Sequence, residues 1–154
     1  MTSVPSLENE DSRWLRDAVH QMYEAYMTSD RTRADAYIAS DVTVWDTEHE
    51  PLVFGLGGLN DLRDSRPAGS VAAVAGIDVG EPVIDVWEDT ALVRHTFTVR
   101  FVDPATAPER VRNTGVWRRR DGRWVLVHNH EDVLPEARGV VGRSDNETEK
   151  EESR

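Results

Sequence analysis

Arg112-Asn113-Thr114-Gly115-Val116-Trp117-Arg118-Arg119-Arg120-Asp121-Gly122-Arg123-Trp124-Val125-Leu126-Val127-His128-Asn129-His130 reads as two strands joined at Asp121-Gly122. Asp-Gly between β-rich runs is a strong hairpin signal, because both residues tolerate the positive φ of a type I′ turn. Strict alternation along the second strand puts Trp124, Leu126, His128 and His130 on one face. Two imidazoles beside apolar groups make either a reactive pocket or a polar sheet edge.

Working back from the hairpin, Ala91 to Val102 is a long strand. Ala91, Val93, His95, Phe97, Val99 and Phe101 form its apolar face. Glu88-Asp89-Thr90 is a turn, and Gly80-Glu81-Pro82 bends the chain between Val71–Val79 and Val83–Trp87. Upstream the period changes. Leu15, Val19, Met22 and Tyr26 recur at helical spacing, with Asp11 or Ser12 as cap. Asp30 caps a second short helix containing Ala34, Tyr37 and Ile38. Val42 to Asp46 is a strand, Thr47 to Phe54 a loop, and a short helix covers Leu59 to Ser65.

Helices followed by strands predict an α+β class, with an antiparallel sheet packed by N-terminal helices on one face. Such a sheet, strongly curved, encloses a pocket under the helices. The expected organisation is a flexible leader over 1–10, one domain over 11–135 and a disordered charged tail over 136–154.

The chain has 154 residues, 18 basic and 29 acidic, for a net charge of −11. That balance argues against nucleic acid and against anionic membranes as partners. No apolar run approaches the roughly 20 residues that span a bilayer. The chain has no cysteine, which excludes disulfides and thiolate metal sites and fits a cytoplasmic protein. The Arg118-Arg119-Arg120 run is expected to be solvated or paired with nearby acids. Phosphate-loop, nucleophile-elbow and zinc-protease motifs do not occur.

The phrase Arg112-x-Thr114-x-Val116-Trp117-Arg118-Arg119-x-Asp121-Gly122-x-Trp124-x-Leu126-Val127-His128-x-His130, followed by Asp132 and Pro135, resembles the C-terminal half of SnoaL-like proteins. These belong to the nuclear transport factor 2-like superfamily, with ketosteroid isomerases and polyketide cyclases. Val44-Trp45-Asp46 through Val53-Phe54-Gly55 resembles the entry to that family's third helix. The resemblance covers roughly residues 12 to 135. It implies a cone-shaped curved sheet with the helices on its concave face, a homodimer formed through the outer face, and a small apolar ligand. The chain departs from the family at Asp132, where many relatives have Ser. The Asp base and Tyr donor of the steroid isomerases have no motif match here.

The candidate chemistry is acid/base. His130 and His128, with Asp46 and His49, are the candidate catalytic groups for removing a proton alpha to a carbonyl. Trp45, His95, Trp117 and Tyr26 are the candidate substrate-binding residues, with Trp45 the first choice of ring and Tyr23 a weaker candidate beside Tyr26. His95 reads in the first place as a hydrogen-bonded core residue, and in the second as a pocket wall. His128 and His130 with His95 or His49 offer three nitrogens, but the spacing is not diagnostic of a metal site, and neither metal nor cofactor is expected. The predicted function is cofactor-independent isomerisation, cyclisation, hydration or elimination on an apolar carbonyl-bearing substrate. The alternative is a non-catalytic ligand-binding or dimeric assembly module. Both faces of the last strand carry apolar residues, so a one-residue slip turns both histidines outward.

Overall fold

The computed structural model describes residues 9–67 and 72–135. Helix α1 (Glu10–Met27) starts two residues earlier than the sequence predicts, because Asn9 is the cap. Its side chain accepts from Ser12 N at 2.7 Å, and Glu10 and Asp11 occupy the positive end of the helix. Leu15, Ala18, Val19 and Ala25 are its buried residues. Tyr26, expected in that stripe, is 57% exposed. Asp30 caps α2 (Arg31–Asp35), accepting from Arg33 N at 3.1 Å. Tyr37 and Ile38 lie beyond this helix.

Strand β1 (Ile38–Asp46) is longer than predicted, and the expected loop after it contains strand β2 (His49–Phe54). Pro51 argued against a strand there. β2 is the outermost strand of the sheet, where a missing N–H is tolerated. Helix α3 (Gly55–Ser65) opens on Gly55 at φ +79°, a left-handed conformation that glycine adopts without strain. β3 (Val74–Val79) and β4 (Val83–Trp87) both pair with β5 (Thr90–Phe101), end to end, around the expected bend. β6 (Glu109–Arg120) and β7 (Arg123–Val133) are the hairpin. Its turn residues Asp121 and Gly122 have φ of 54° and 75°, as a type I′ turn requires.

The sheet order is β2-β1-β7-β6-β5-β3, with β4 also on β5. It is mixed rather than antiparallel, because β1 runs parallel to β7. A parallel neighbour needs a long connection, and everything from β2 to β6 supplies it. The helices cover the concave face. The core unites Leu15 and Val19 of α1 with Val42, Val93, Trp117 and Leu126 of the sheet.

Arg119 and Arg120 of the hairpin run pair with acids, one of the two outcomes expected. Arg119 forks onto Asp11 (2.8 and 3.1 Å) and reaches Asp89, and Arg120 meets Asp41 at 2.7 Å. The Arg119 guanidinium also covers the Trp124 ring at 4.5 Å. Among the described residues no helix is long and apolar enough to cross a membrane. Of the expected leader over 1–10, Asn9 and Glu10 instead cap and begin α1, while residues 1–8, the tail over 136–154 and Val71 lie outside the described residues.

Candidate functional site

The concave face of the sheet and helices α1 and α3 enclose a cavity of about 620 Å³, a size that suits a small organic molecule. Val19 and Met22 of α1, Leu59 of α3, and Val93, Phe97 and Leu126 of the sheet supply apolar wall.

What else faces the cavity is decided by one residue in β7. Trp117 pairs with Leu126, yet Val116 pairs with His128. Val127 is therefore an extra residue with no partner on β6, a β-bulge. Before it, Trp124 and Leu126 face the core. After it the parity reverses, so Asn129, Glu131 and Val133 line the cavity. His128 and His130 point to the outer face. His128 Nδ1 sits 2.8 Å from Thr43 Oγ1, and the His130 ring lies 6.3 Å from that of Trp45. The expectation that both histidines share a face with Leu126 is thus corrected: alternation holds only while the pleat is regular.

The reversal builds a polar row across the cavity floor. His95 on β5 pairs with Asn113 on β6, and Asn113 pairs with Glu131 on β7. Trp45 pairs with His130 across β1 and β7, which sets Asp46 beside Glu131 at the end of the row. Directly paired side chains have Cβ atoms about 5 Å apart. From above, Tyr23 of α1 reaches down so that its Oη lies 2.7 Å from His95 Nε2.

The electrostatics follow from burial. His95 is 8% exposed, and desolvation first, then the charge of His20, lowers its pKa to about 4. It is a neutral imidazole at neutral pH. Its Nδ1 is buried without a hydrogen-bond partner. A stranded acceptor is tolerated better than a stranded N–H, which assigns the proton to Nε2. Nε2–H then donates to Tyr23 Oη, leaving the phenol hydrogen for the cavity. Burial, and next the charge of Glu131, raise the Tyr23 pKa well above 10.

Glu131 keeps some accessible surface, and it lines the cavity. Desolvation and then the neighbouring Asp46 charge push its carboxyl up to about 7, against an opposing hydrogen bond from Asn129. The Asn113 and Asn129 amides are 3.0 Å apart. The Asn113 orientation that satisfies both its ends lets its nitrogen donate to Glu131 Oε1 at 2.9 Å. Asp46 in turn accepts from Arg66 Nη2 at 2.6 Å. One carboxyl is thus tied to a guanidinium, and its neighbour is held ready to exchange a proton near neutral pH.

Of the sequence candidates, Asp46, His95 and Trp117 lie in the cavity wall. Trp117 is 2% exposed, whereas Tyr26 and Trp45 stand at the mouth, 57% and 39% exposed. His49 and His130 meet Trp45, Asp46, Glu48 and Glu50 around a shallow depression that adjoins the cavity and shares Trp45, Asp46, Thr47 and Glu48 with it. His128 lies in neither. Among the described residues, no three His, Asp or Glu side chains gather closely enough to hold a metal ion. Asp132 pairs with Arg112, at 2.6 and 3.2 Å, on the surface.

Sequence reasoning missed Asn113, Asn129 and Glu131, and held Tyr23 only as a weaker candidate. One signal pointed to them. Gly115 interrupts a strand interior, which marks a bulge or a close approach. A Cβ there would meet Leu126 Cδ1 at 3.2 Å, Trp117 Nε1 at 3.3 Å and Asn129 Oδ1 at 3.4 Å.

A curved sheet closed over a cavity by N-terminal helices defines a nuclear transport factor 2-like cone. The chain belongs to the SnoaL-like domain family, whose model matches residues 15–134. No curated protein matches it. Among solved structures, an NTF2-like protein from Pseudomonas putida KT2440 is 15% identical, with a TM-score of 0.74, over 86% of this chain and 92% of that one. A candidate ketosteroid isomerase from Parabacteroides distasonis ATCC 8503 is 20% identical, with a TM-score of 0.62, over 75% and 84%. The CaMKII hub of S. rosetta is 20% identical, with a TM-score of 0.69, over 83% and 100%. At such identities the likeness is one of fold.

Proposed function

We propose that the protein is a cofactor-independent acid/base enzyme acting on a small, apolar, carbonyl-bearing molecule, by isomerisation, cyclisation, hydration or elimination. The observation that carries this reading is the row Asp46–Glu131–Asn113–His95 beneath Tyr23, inside an apolar cavity. Glu131 is the general base. A carboxylate that titrates near the working pH suits proton abstraction alpha to a carbonyl. The Tyr23 hydroxyl, backed by His95 Nε2–H, donates to the oxygen where negative charge develops. Asp46 is retained from the sequence candidates, as a positioning residue that acts through Glu131. His130, His128 and His49 have no part in the proton transfer, because they stand outside this cavity.

The test is base-catalysed exchange of the α-hydrogens of β-tetralone or decalone in deuterated buffer, followed by NMR. Wild type is expected to accelerate exchange with a rate rising through about pH 7, and Glu131→Gln to lose on the order of 10²–10⁴-fold. A wild type no faster than free acetate sinks the reading.

A second reading is a ligand-binding or assembly module, favoured by the likeness to a kinase hub. Val83, Trp87 and Trp45 are 59%, 58% and 39% exposed, and an apolar outer face suits a homodimer. Light scattering at graded concentrations tests the dimer, and a monomer throughout removes it. We read the protein as cytoplasmic, on the strength of a cysteine-free chain.

A further inference from the structure

The cations around the cavity are already engaged. Arg31 meets Asp64 at 2.8 Å, Arg63 meets Asp35 at 2.8 Å, and Arg66 meets Asp46 at 2.6 Å. Among the described residues no ion pair includes Glu131, whose partners are amides and whose charged neighbour is another acid. Glu48 and Glu109 add acid at the rim. A buried carboxylate without a counter-ion is costly.

His95 is 8% exposed, lines the cavity and holds Nδ1 without a partner. In the tautomer assigned above that atom is an acceptor. Glu131, held by amides and lacking a counter-ion, thus calls for positive charge, whereas His95 Nδ1 is sealed away from the cavity space. The rings of Tyr23 and Phe97, 5.0 Å apart, and of Trp117 offer apolar surface and π faces that favour a cation over an anion.

We propose that the cavity binds hydrophobic amines, with the ligand ammonium paired to Glu131 and its apolar body against Tyr23, Phe97 and Trp117. Anionic ligands are excluded, because among the described residues the arginines lining the cavity are all paired and Glu131, Asp46 and Glu48 repel an anion. The inference goes beyond the acid/base reading. It uses the same cavity and requires no proton transfer from carbon.

The charged and titratable groups that face Glu131 are Asp46 of β1, itself held by Arg66 after α3, and Tyr23 of α1, with His95 of β5 further along the row. Pairing with an ammonium favours the carboxylate over the acid form. Since Glu131 titrates at about 7 when empty, amine binding at about pH 6 expels a proton, whereas binding at about pH 8 expels little.

The experiment is calorimetric titration of the whole chain with three isosteric probes, naphthylmethylamine, naphthalenemethanol and naphthoate, at both pH values in buffers of differing ionisation enthalpy. The amine is expected to bind at least about tenfold more tightly than the alcohol, and naphthoate more weakly than either. At about pH 6 its heat should vary with buffer as release of nearly one proton requires. Glu131→Gln should lose the proton release and the tenfold preference while keeping the alcohol's affinity. The proton release of the wild type stands as a test even should that variant fold poorly. Equal affinity for amine and alcohol, binding at about pH 6 without proton release, or no amine binding at about 10 mM overturns the proposal. Hydrogen exchange on ketones is a separate readout, so a cavity that binds amines yet exchanges nothing sinks the reaction alone.

Discussion

The hydroxyl of Tyr23 lies 2.7 Å from Nε2 of His95, tying helix α1 to the middle of strand β5 inside the cavity. The rings meet edge-on at 88° with centroids 5.5 Å apart, so the contact is both polar and aromatic. It sets the distance between helix and sheet inside the cavity.

Removing one partner of this pair strands the other. Tyr23→Phe is expected to cost about 1–3 kcal/mol, because a buried imidazole N–H then has no acceptor. His95→Leu costs a similar amount through the phenol. The double variant should be more stable than the two losses added together, since both polar groups are gone. Urea unfolding of the four proteins measures the coupling, and strict additivity excludes a direct interaction.

Two buried groups oppose each other in the pH dependence of stability. His95 titrates at 6.5 when unfolded and at about 4 when folded. Its contribution is present above 6.5 and is lost as pH falls through 4, on the order of 3 kcal/mol. Glu131 titrates at 4.5 when unfolded and at about 7 when folded. Its contribution is present below 4.5 and is lost as pH rises through 7, again about 3 kcal/mol. Wild type should therefore be nearly level between these limits. Glu131→Gln should gain stability with rising pH, and His95→Gln should lose it. Chemical denaturation at graded pH reads both slopes, and two level profiles contradict the assignment.

The hydrogen bond from Asn129 favours the Glu131 carboxylate. Asn129→Ala removes it, so the carboxyl should titrate above its wild-type value of about 7. Side-chain carboxyl NMR follows this directly. A downward shift points to water entering the space left by the amide.

His130→Ala separates the outer face from the cavity. Its ring packs near Trp45, away from the polar row. Ketone hydrogen exchange is expected to change by less than about threefold, against a loss of 10²-fold or more for Glu131→Gln. Equal losses in the two variants would return the histidine to the reacting centre.

Much of the fold was legible because it rests on local rules. Asp121-Gly122 specified its own turn, and both residues have the positive φ it needs. Asp30 capped the helix it was expected to cap. The apolar face of β5 alternates as read, with Ala91, Val93, His95 and Phe97 buried. Strand β2 was obscured by Pro51, whose penalty depends on sheet position. The parallel pairing of β1 with β7 joins segments about 80 residues apart, beyond the reach of any local pattern. Asp46 was found as a candidate by its place at a strand end. Glu131 was passed over because it alternates with His130, and the assumed pleat turned it to solvent.

By itself the sequence determined the helices and every strand but β2, the hairpin and the acidic, cysteine-free character of the chain, because dihedral preference, periodicity and charge are properties of short segments. Only the tertiary structure decided which residues face the cavity. The extra residue at Val127 exists as a bulge only when β7 is laid against β6, and one unpaired residue exchanges the two faces of everything after it. The cavity therefore holds Asn129 and Glu131, and the outer face holds His128 and His130.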